Sequence, residues 1–207
     1  MGEIPVNQIV EYIKNNYDPV SIIVYGSYSD GTNNLSSDFD ALVISGSHRQ
    51  VHDTSFVGGI QLDVFVYPDS YFESDYDCAD FIQIVNGIVL FDTEGKGKLL
   101  KDRVVSFFQS KQGKTDEEIK ANIDWCAKML SRTKRNDTEG MYRWHWVLID
   151  SLEIFCDAAH HTYLGPKKAL LWMEANHPAA YALYQKALFE FTQESLSNWI
   201  EYLEKLI

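Results

Sequence analysis

An aspartate in the middle of an apolar strand constrains this chain more than any other feature. Ile60 to Tyr67 is a run of β-branched and aromatic residues that follows a hairpin-type Gly58-Gly59 turn after Thr54-Ser-Phe-Val57, and Asp63 lies inside it. In Leu62-Asp-Val-Phe-Val66 an ionised carboxylate is costly unless a cation or a donor compensates it. Any fold the chain adopts must bring such a partner to Asp63. Two more acids, Asp38 and Asp40, stand at i and i+2 where a second apolar run, Phe39 to Ile44, begins, so both point to one face of that strand. The scattered Asp18, Asp30, Asp53, Asp69, Asp75, Asp77 and Asp92 read instead as solvated surface groups of an acidic protein.

Upstream, Val20 to Tyr25 is a short apolar run bounded by Asp18-Pro19 and Gly26, and reads as a buried strand. Gly26, without a Cβ, allows close approach of the backbone to a polyphosphate. Ser27 opens a short helical turn, ended by Gly31 and Asn33-Asn34, whose free N–H groups favour an anion. Asp38, Asp40 and Asp63 together form a set of hard oxygen ligands suited to Mg²⁺. The parts are those of a metal-dependent site for a nucleoside triphosphate.

Charge divides the chain. Residues 1–95 carry 15 acids against only Lys14 and Arg49, a net of −13, whereas residues 96–207 carry 16 basic and 15 acidic groups. The first half would concentrate divalent cations or a cationic acceptor and would repel a nucleic-acid backbone. A length of 207 residues allows one or two domains, and no apolar run reaches the length of a membrane span. The N-terminus lacks the basic-then-apolar layout of a signal peptide, and Cys78, Cys126 and Cys156 are odd in number and outside ligand spacing. A cytoplasmic protein with ordinary core or half-buried thiols is expected, without zinc.

The periodicity then becomes helical. Thr115 to Thr133 carries Ile119, Ile123, Cys126, Ala127 and Leu130 at helical spacing after a Thr115 cap, and all five tryptophans lie beyond residue 124. Further helices are expected over Gly140 to His161, Lys167 to Ala175, Pro178 to Phe191 and Gln193 to Ile207. The boundaries implied are a catalytic domain over 1–110, a linker near Ser110 to Lys114, and a helical bundle over 115–207.

Gly26-Ser27, ten residues, Asp38-Phe39-Asp40 and then Asp63 on a later strand resemble the DNA polymerase β-like nucleotidyltransferase superfamily. The resemblance covers roughly the first half. The addition of an all-helical half is similar to the two-domain antibiotic (kanamycin- and lincosamide-type) nucleotidyltransferases, and the first half alone to minimal nucleotidyltransferase antitoxins. The implied fold is an α+β nucleotidyltransferase domain with a mixed sheet, followed by an all-α helical bundle that binds the acceptor. The implied reaction moves a nucleoside monophosphate, AMP being the expected group, from ATP or another NTP to an acceptor hydroxyl with release of pyrophosphate. Asp38, Asp40 and Asp63 would hold two Mg²⁺ ions, and Gly26 and Ser27 the phosphates. A homodimer is a further expectation at the level of the family.

Other groups are less sharply marked. Lys167 and Lys168 fall in the first turn of a helix, where the macrodipole disfavours cations, so a nearby phosphate would explain them. Kanamycin-type enzymes place a glutamate general base on the first helix of the second domain with a lysine one turn later. No glutamate takes that place here. Asp124 with Lys128 is the nearest acid-then-lysine pair, and Glu139 and Asp150 are alternatives, each weighed against a plain solvated helix charge. Three classes of function remain open: transfer to a small molecule, modification of a protein by an antitoxin-like regulator, and nucleotide binding without turnover.

Overall fold

The computed structural model describes residues 6–47, 49–110, 113–135 and 137–206, and the chain divides into two compact units, Met1–Lys111 and Gln112–Ile207. The first begins with α1 (Val6–Tyr17), in which Ile9 and Ile13, one turn apart, are fully buried. Strands follow at β1 (Pro19–Val24), β2 (Phe39–Ser45), β3 (Val51–Asp53), β4 (Phe56–Val57), β5 (Ile60–Pro68) and β6 (Ile88–Asp92). The short helix α2 (Ser27–Asp30) lies between β1 and β2. Two 3₁₀ segments, Asp69–Glu73 and Cys78–Ile84, and helix α3 (Lys96–Ser110) complete the unit.

The strand order is β3-β5-β2-β1-β6, with β4 paired to β5. Pairing of β2 with β5 is parallel and the remaining pairs are antiparallel, so the sheet is mixed as expected. Gly58 and Gly59 both adopt positive φ, 60° and 86°, which suits the two-residue hairpin between β4 and β5. Alternation along the strands builds two cores. Ile22, Val24, Ala41, Val43, Leu62, Val64 and Val66 pack with Ile9 and Ile13 of α1 on one face. On the opposite face Ile23, Tyr25, Leu42 and Ile44 pack with Phe81, Ile84, Leu100 and Val104 from the 3₁₀ segment and α3. Asp92 ends β6 and accepts hydrogen bonds from the backbone N–H groups of Gly97 and Lys98 in the first turn of α3, a fixed capping role.

The second unit contains α4 (Asp116–Thr133), α5 (Thr138–Ala158), α6 (Pro166–Asn176), α7 (Pro178–Glu190) and α8 (Gln193–Glu204). Thr115 caps α4 in a full capping box: its hydroxyl accepts from the Glu118 N–H, and the Glu118 carboxylate accepts from the Thr115 N–H. Thr115→Ala is expected to destabilise the chain by about 1 kcal/mol in urea unfolding. Helix α5 starts two residues earlier than the sequence suggests because Asp137 caps it through the Gly140 N–H. It also stops short of His161, where His160 turns left-handed at φ 51°.

Trp199, fully buried, donates its indole N–H to Ser151 Oγ at 2.9 Å, and the Tyr184 hydroxyl donates to the Leu148 carbonyl at 2.7 Å. These two polar atoms are thereby satisfied, whereas the buried indole nitrogen of Trp144 has no hydrogen-bond partner among the described residues. Cys126 and Cys156 are core residues and Cys78 is half-buried. Burial pushes the Cys126 thiol up to about 12 and the Cys156 thiol to about 11, so neither is a thiolate at neutral pH. Part of the expected linker, residues 111–112, lies outside the described residues. No described helix is long and apolar enough to cross a membrane.

Candidate active site

The parallel register of β2 and β5 sets Asp40 directly beside Asp63. Asp38 precedes β2 by one residue, with its side chain on the same side as that of Asp40. Single carboxylate oxygens from all three lie within 4.8 Å of one another. Their face of the sheet is the one that carries Tyr25, Leu42 and Ile44, beyond the reach of the second core. Asp38 is exposed and Asp40 half-buried. Asp63 retains 34% side-chain exposure, which corrects the expectation of deep burial: its strand neighbours Leu62 and Val64 fill the opposite core while Asp63 looks outward.

Part of the compensation Asp63 requires comes from a residue that sequence reasoning missed. His52 on β3 places Nε2 2.6 Å from the Asp63 carboxylate, and its ring stacks on Phe65 at 4.1 Å between centroids. One histidine balances at most one carboxylate. Three at this separation repel by roughly 1 to 3 kcal/mol per pair, depending on screening. An all-oxygen, electronegative donor set of this kind fits a hard divalent cation.

Gly26 closes one side. It adopts φ 63°, ψ −150°, and a Cβ added there would lie 2.0 Å from Asp40 Oδ2. Only a glycine lets the chain turn this close to the carboxylate. The Tyr25 N–H donates to the Asp40 carbonyl at 3.1 Å, and Ser29 Oγ to the Gly26 carbonyl at 2.8 Å, which ties β1, α2 and β2 together at this point. Ser27 is the first residue of α2.

Two phenols feel the acids. Burial, followed by the charges of Asp63, Asp40 and Asp38, raises the Tyr25 hydroxyl well above its ordinary value. Burial and then Asp38 do the same for Tyr28. The Tyr28 oxygen is buried with no hydrogen-bond partner among the described residues.

The remaining candidates belong to the second unit. Lys167 and Lys168 occupy the first turn of α6, Lys167 exposed and Lys168 half-buried. Asp124 is exposed, and its ion-pair partner is Lys120 at 3.7 Å, one turn before it, rather than Lys128. Glu139 is held by Arg135 at 2.9 Å and Arg143 at 3.3 Å. Asp150 is half-buried, and loss of solvation raises its carboxyl above the usual range.

Asp53 is a second correction. Far from being solvated, it is 6% exposed and accepts hydrogen bonds from the Tyr17 hydroxyl at 2.5 Å and the Ser55 N–H at 2.8 Å, tying β3 to the end of α1. Burial alone would push its carboxyl up, but the bonds from Ser55 and Tyr17 outweigh that and hold it below the ordinary value. A depressed native value stabilises the fold above the unfolded value, near 4, and the contribution is lost as pH falls below it. Wild-type stability is therefore expected to drop more steeply below about pH 4 than that of Asp53→Asn, as urea titrations across the acid range would show.

Residues 6–112, just over half of the chain, match the profile of a nucleotidyltransferase domain family. No curated protein matches the chain. Among solved structures, the chain is similar to a nucleotidyltransferase-like protein from Exiguobacterium sibiricum 255-15, with 13% identity and a TM-score of 0.39 over 98% of this chain and 73% of that one. It is also similar to a chain of a toxin–antitoxin solved with AMP-PNP, at 23% identity and a TM-score of 0.34 over 57% of this chain and 94% of that one. A mutant of the toxin–antitoxin MntA–HpeT gives 24% identity and a TM-score of 0.36 over 59% and 97%.

Proposed function

Because the chain belongs to the nucleotidyltransferase domain family, we propose that it moves a nucleoside monophosphate, AMP in the first instance, from a nucleoside triphosphate to the hydroxyl of a small acceptor. The observation that carries this reading is the convergence of Asp38, Asp40 and Asp63 within 4.8 Å beside the turn at Gly26. Divalent ions held there, two Mg²⁺ in this reading, would stabilise charge on the α-phosphate and acidify the acceptor hydroxyl. Asp40 and Asp63, fixed side by side by the sheet register, hold their carboxylates apart from the apolar cores and directed at one point. The Gly26 backbone and the Ser27 hydroxyl would hold the β and γ phosphates, and a side chain at position 26 would collide with the Asp40 carboxylate.

In the reaction the acceptor oxygen bonds to the α-phosphorus and the bond from that phosphorus to the bridging oxygen breaks. Pyrophosphate leaves, and the acceptor proton passes to a carboxylate base and from there to solvent. Lys167 and Lys168 belong to the same proposal as basic partners for the triphosphate, and Asp124, Glu139 and Asp150 as the second unit's candidate bases.

Incubation with ATP radiolabelled at the α-phosphate, with small hydroxylated amines in one arm and cell protein in another, tests the acceptor class. Label on a small molecule is the expected result. Label on protein alone would replace the small-molecule reading with a protein-modifying one.

A further inference from the structure

The helical unit contains a cleft of which the transfer reading uses only Asp150, as one of its candidate bases. It has a volume of about 430 Å³ and lies between α4 and α5, within the size range of small-molecule sites. Trp146, Asp150 and Glu153 recur at intervals of four and three residues, so they share one face of α5, while Asn122 and Trp125 face them from α4. The two indoles meet edge to face with centroids 5.3 Å apart.

Charge in the cleft is not balanced. Lys114, the one basic residue among those that line it, directs its ammonium to Asp157 at 2.6 Å, with Glu153 farther off at 3.7 Å. Asp150 has no ion pair among the described residues; its neighbour is the Trp146 side chain, which donates a hydrogen bond to it. A half-buried carboxylate beside two aromatic rings offers a cation both a counter-charge and π faces. The Arg143 guanidinium, 5.3 Å from the Trp146 ring centre, already makes such a contact within this cluster.

We propose that this cleft binds a small organic ammonium ion, with Asp150 as its counter-charge and Trp125 and Trp146 as its walls. Indole faces prefer a weakly hydrated alkylammonium to a bare metal ion, and the leftover negative charge rejects anions. Every residue named lies in the second unit, and binding of the ammonium ion requires neither the triphosphate nor the three acids of the first.

Calorimetric titration of the full chain with n-butylammonium, in the absence of nucleotide, tests it. Saturable binding at about 1 mM or tighter is expected, which five non-hydrogen atoms can supply. The neutral isostere 1-butanol should bind at least about tenfold more weakly, and Asp150→Asn should weaken n-butylammonium by a similar factor. Trp125→Leu should cost about fivefold, whereas Lys114→Gln, by removing the opposing charge, should tighten binding about threefold. Equal affinity for the alcohol, unchanged affinity in Asp150→Asn with a native circular dichroism spectrum, or no saturation by about 50 mM would each overturn the proposal. Because no nucleotide is present, none of these results bears on the transfer reading.

Discussion

Asp40→Asn is expected to lower nucleotidyl transfer by at least about a thousandfold while leaving the fold intact. The substitution is nearly isosteric and keeps the β2–β5 register, but removes one of three charges gathered within 4.8 Å. With less mutual repulsion, its unfolding free energy should equal that of the wild type or exceed it by up to about 1 kcal/mol. Loss of activity without loss of stability is the signature of a charge kept for a ligand. Parallel loss of both would instead make Asp40 a structural residue, and retained transfer would remove it from the chemistry.

Gly26→Ala should disturb the same place from the opposite side. At φ 63°, ψ −150° the backbone occupies a region almost exclusive to glycine, and the new methyl would lie 2.0 Å from Asp40 Oδ2 and 2.8 Å from its Cγ. Backbone strain plus that collision is expected to cost about 2–4 kcal/mol and to displace the carboxylate, abolishing transfer as well. Gly31→Ala is the matched control: φ is 75°, but nothing lies within 4 Å of the added atom, so only a conformational cost of about 1 kcal/mol should appear. In an Asp40→Ala background the Gly26→Ala cost should shrink by about 1–2 kcal/mol, because the obstructing carboxylate is gone. Additive costs in that double-mutant cycle would show that the two positions do not meet as described.

Legibility in the sequence followed the range of the interaction that decides each feature. β1, β2 and β5 could be read from short β-branched runs, and the β4–β5 hairpin from paired glycines, because both signals lie within a few residues. The start of α4 was equally local, set by Thr115 and Glu118. His52 escaped notice because its role follows from β3 pairing with β5, which sets it opposite Phe65 and within reach of Asp63. Composition alone gave no reason to separate it from other histidines. Asp53 was misread for the same cause: its burial depends on Tyr17, 36 residues earlier. The resemblance to kanamycin-type enzymes suggested Asp124 with Lys128, yet Lys120 stands at the same spacing on the other side and is the ion-pair partner formed. Asp63 drew attention for a reason only partly right. It needs a partner less because of deep burial than because two other carboxylates share its corner of the sheet.

The claim that these three acids form a divalent-metal site for a triphosphate is tested most directly by titrating the full chain with Mn²⁺ in the presence of a non-reacting ATP analogue, following free Mn²⁺ by electron paramagnetic resonance. Asp63→Asn is the comparison. Tight binding in the wild type, weakened at least about tenfold in Asp63→Asn with unchanged thermal unfolding, is the expected result. Equal Mn²⁺ affinity in the two proteins would contradict it.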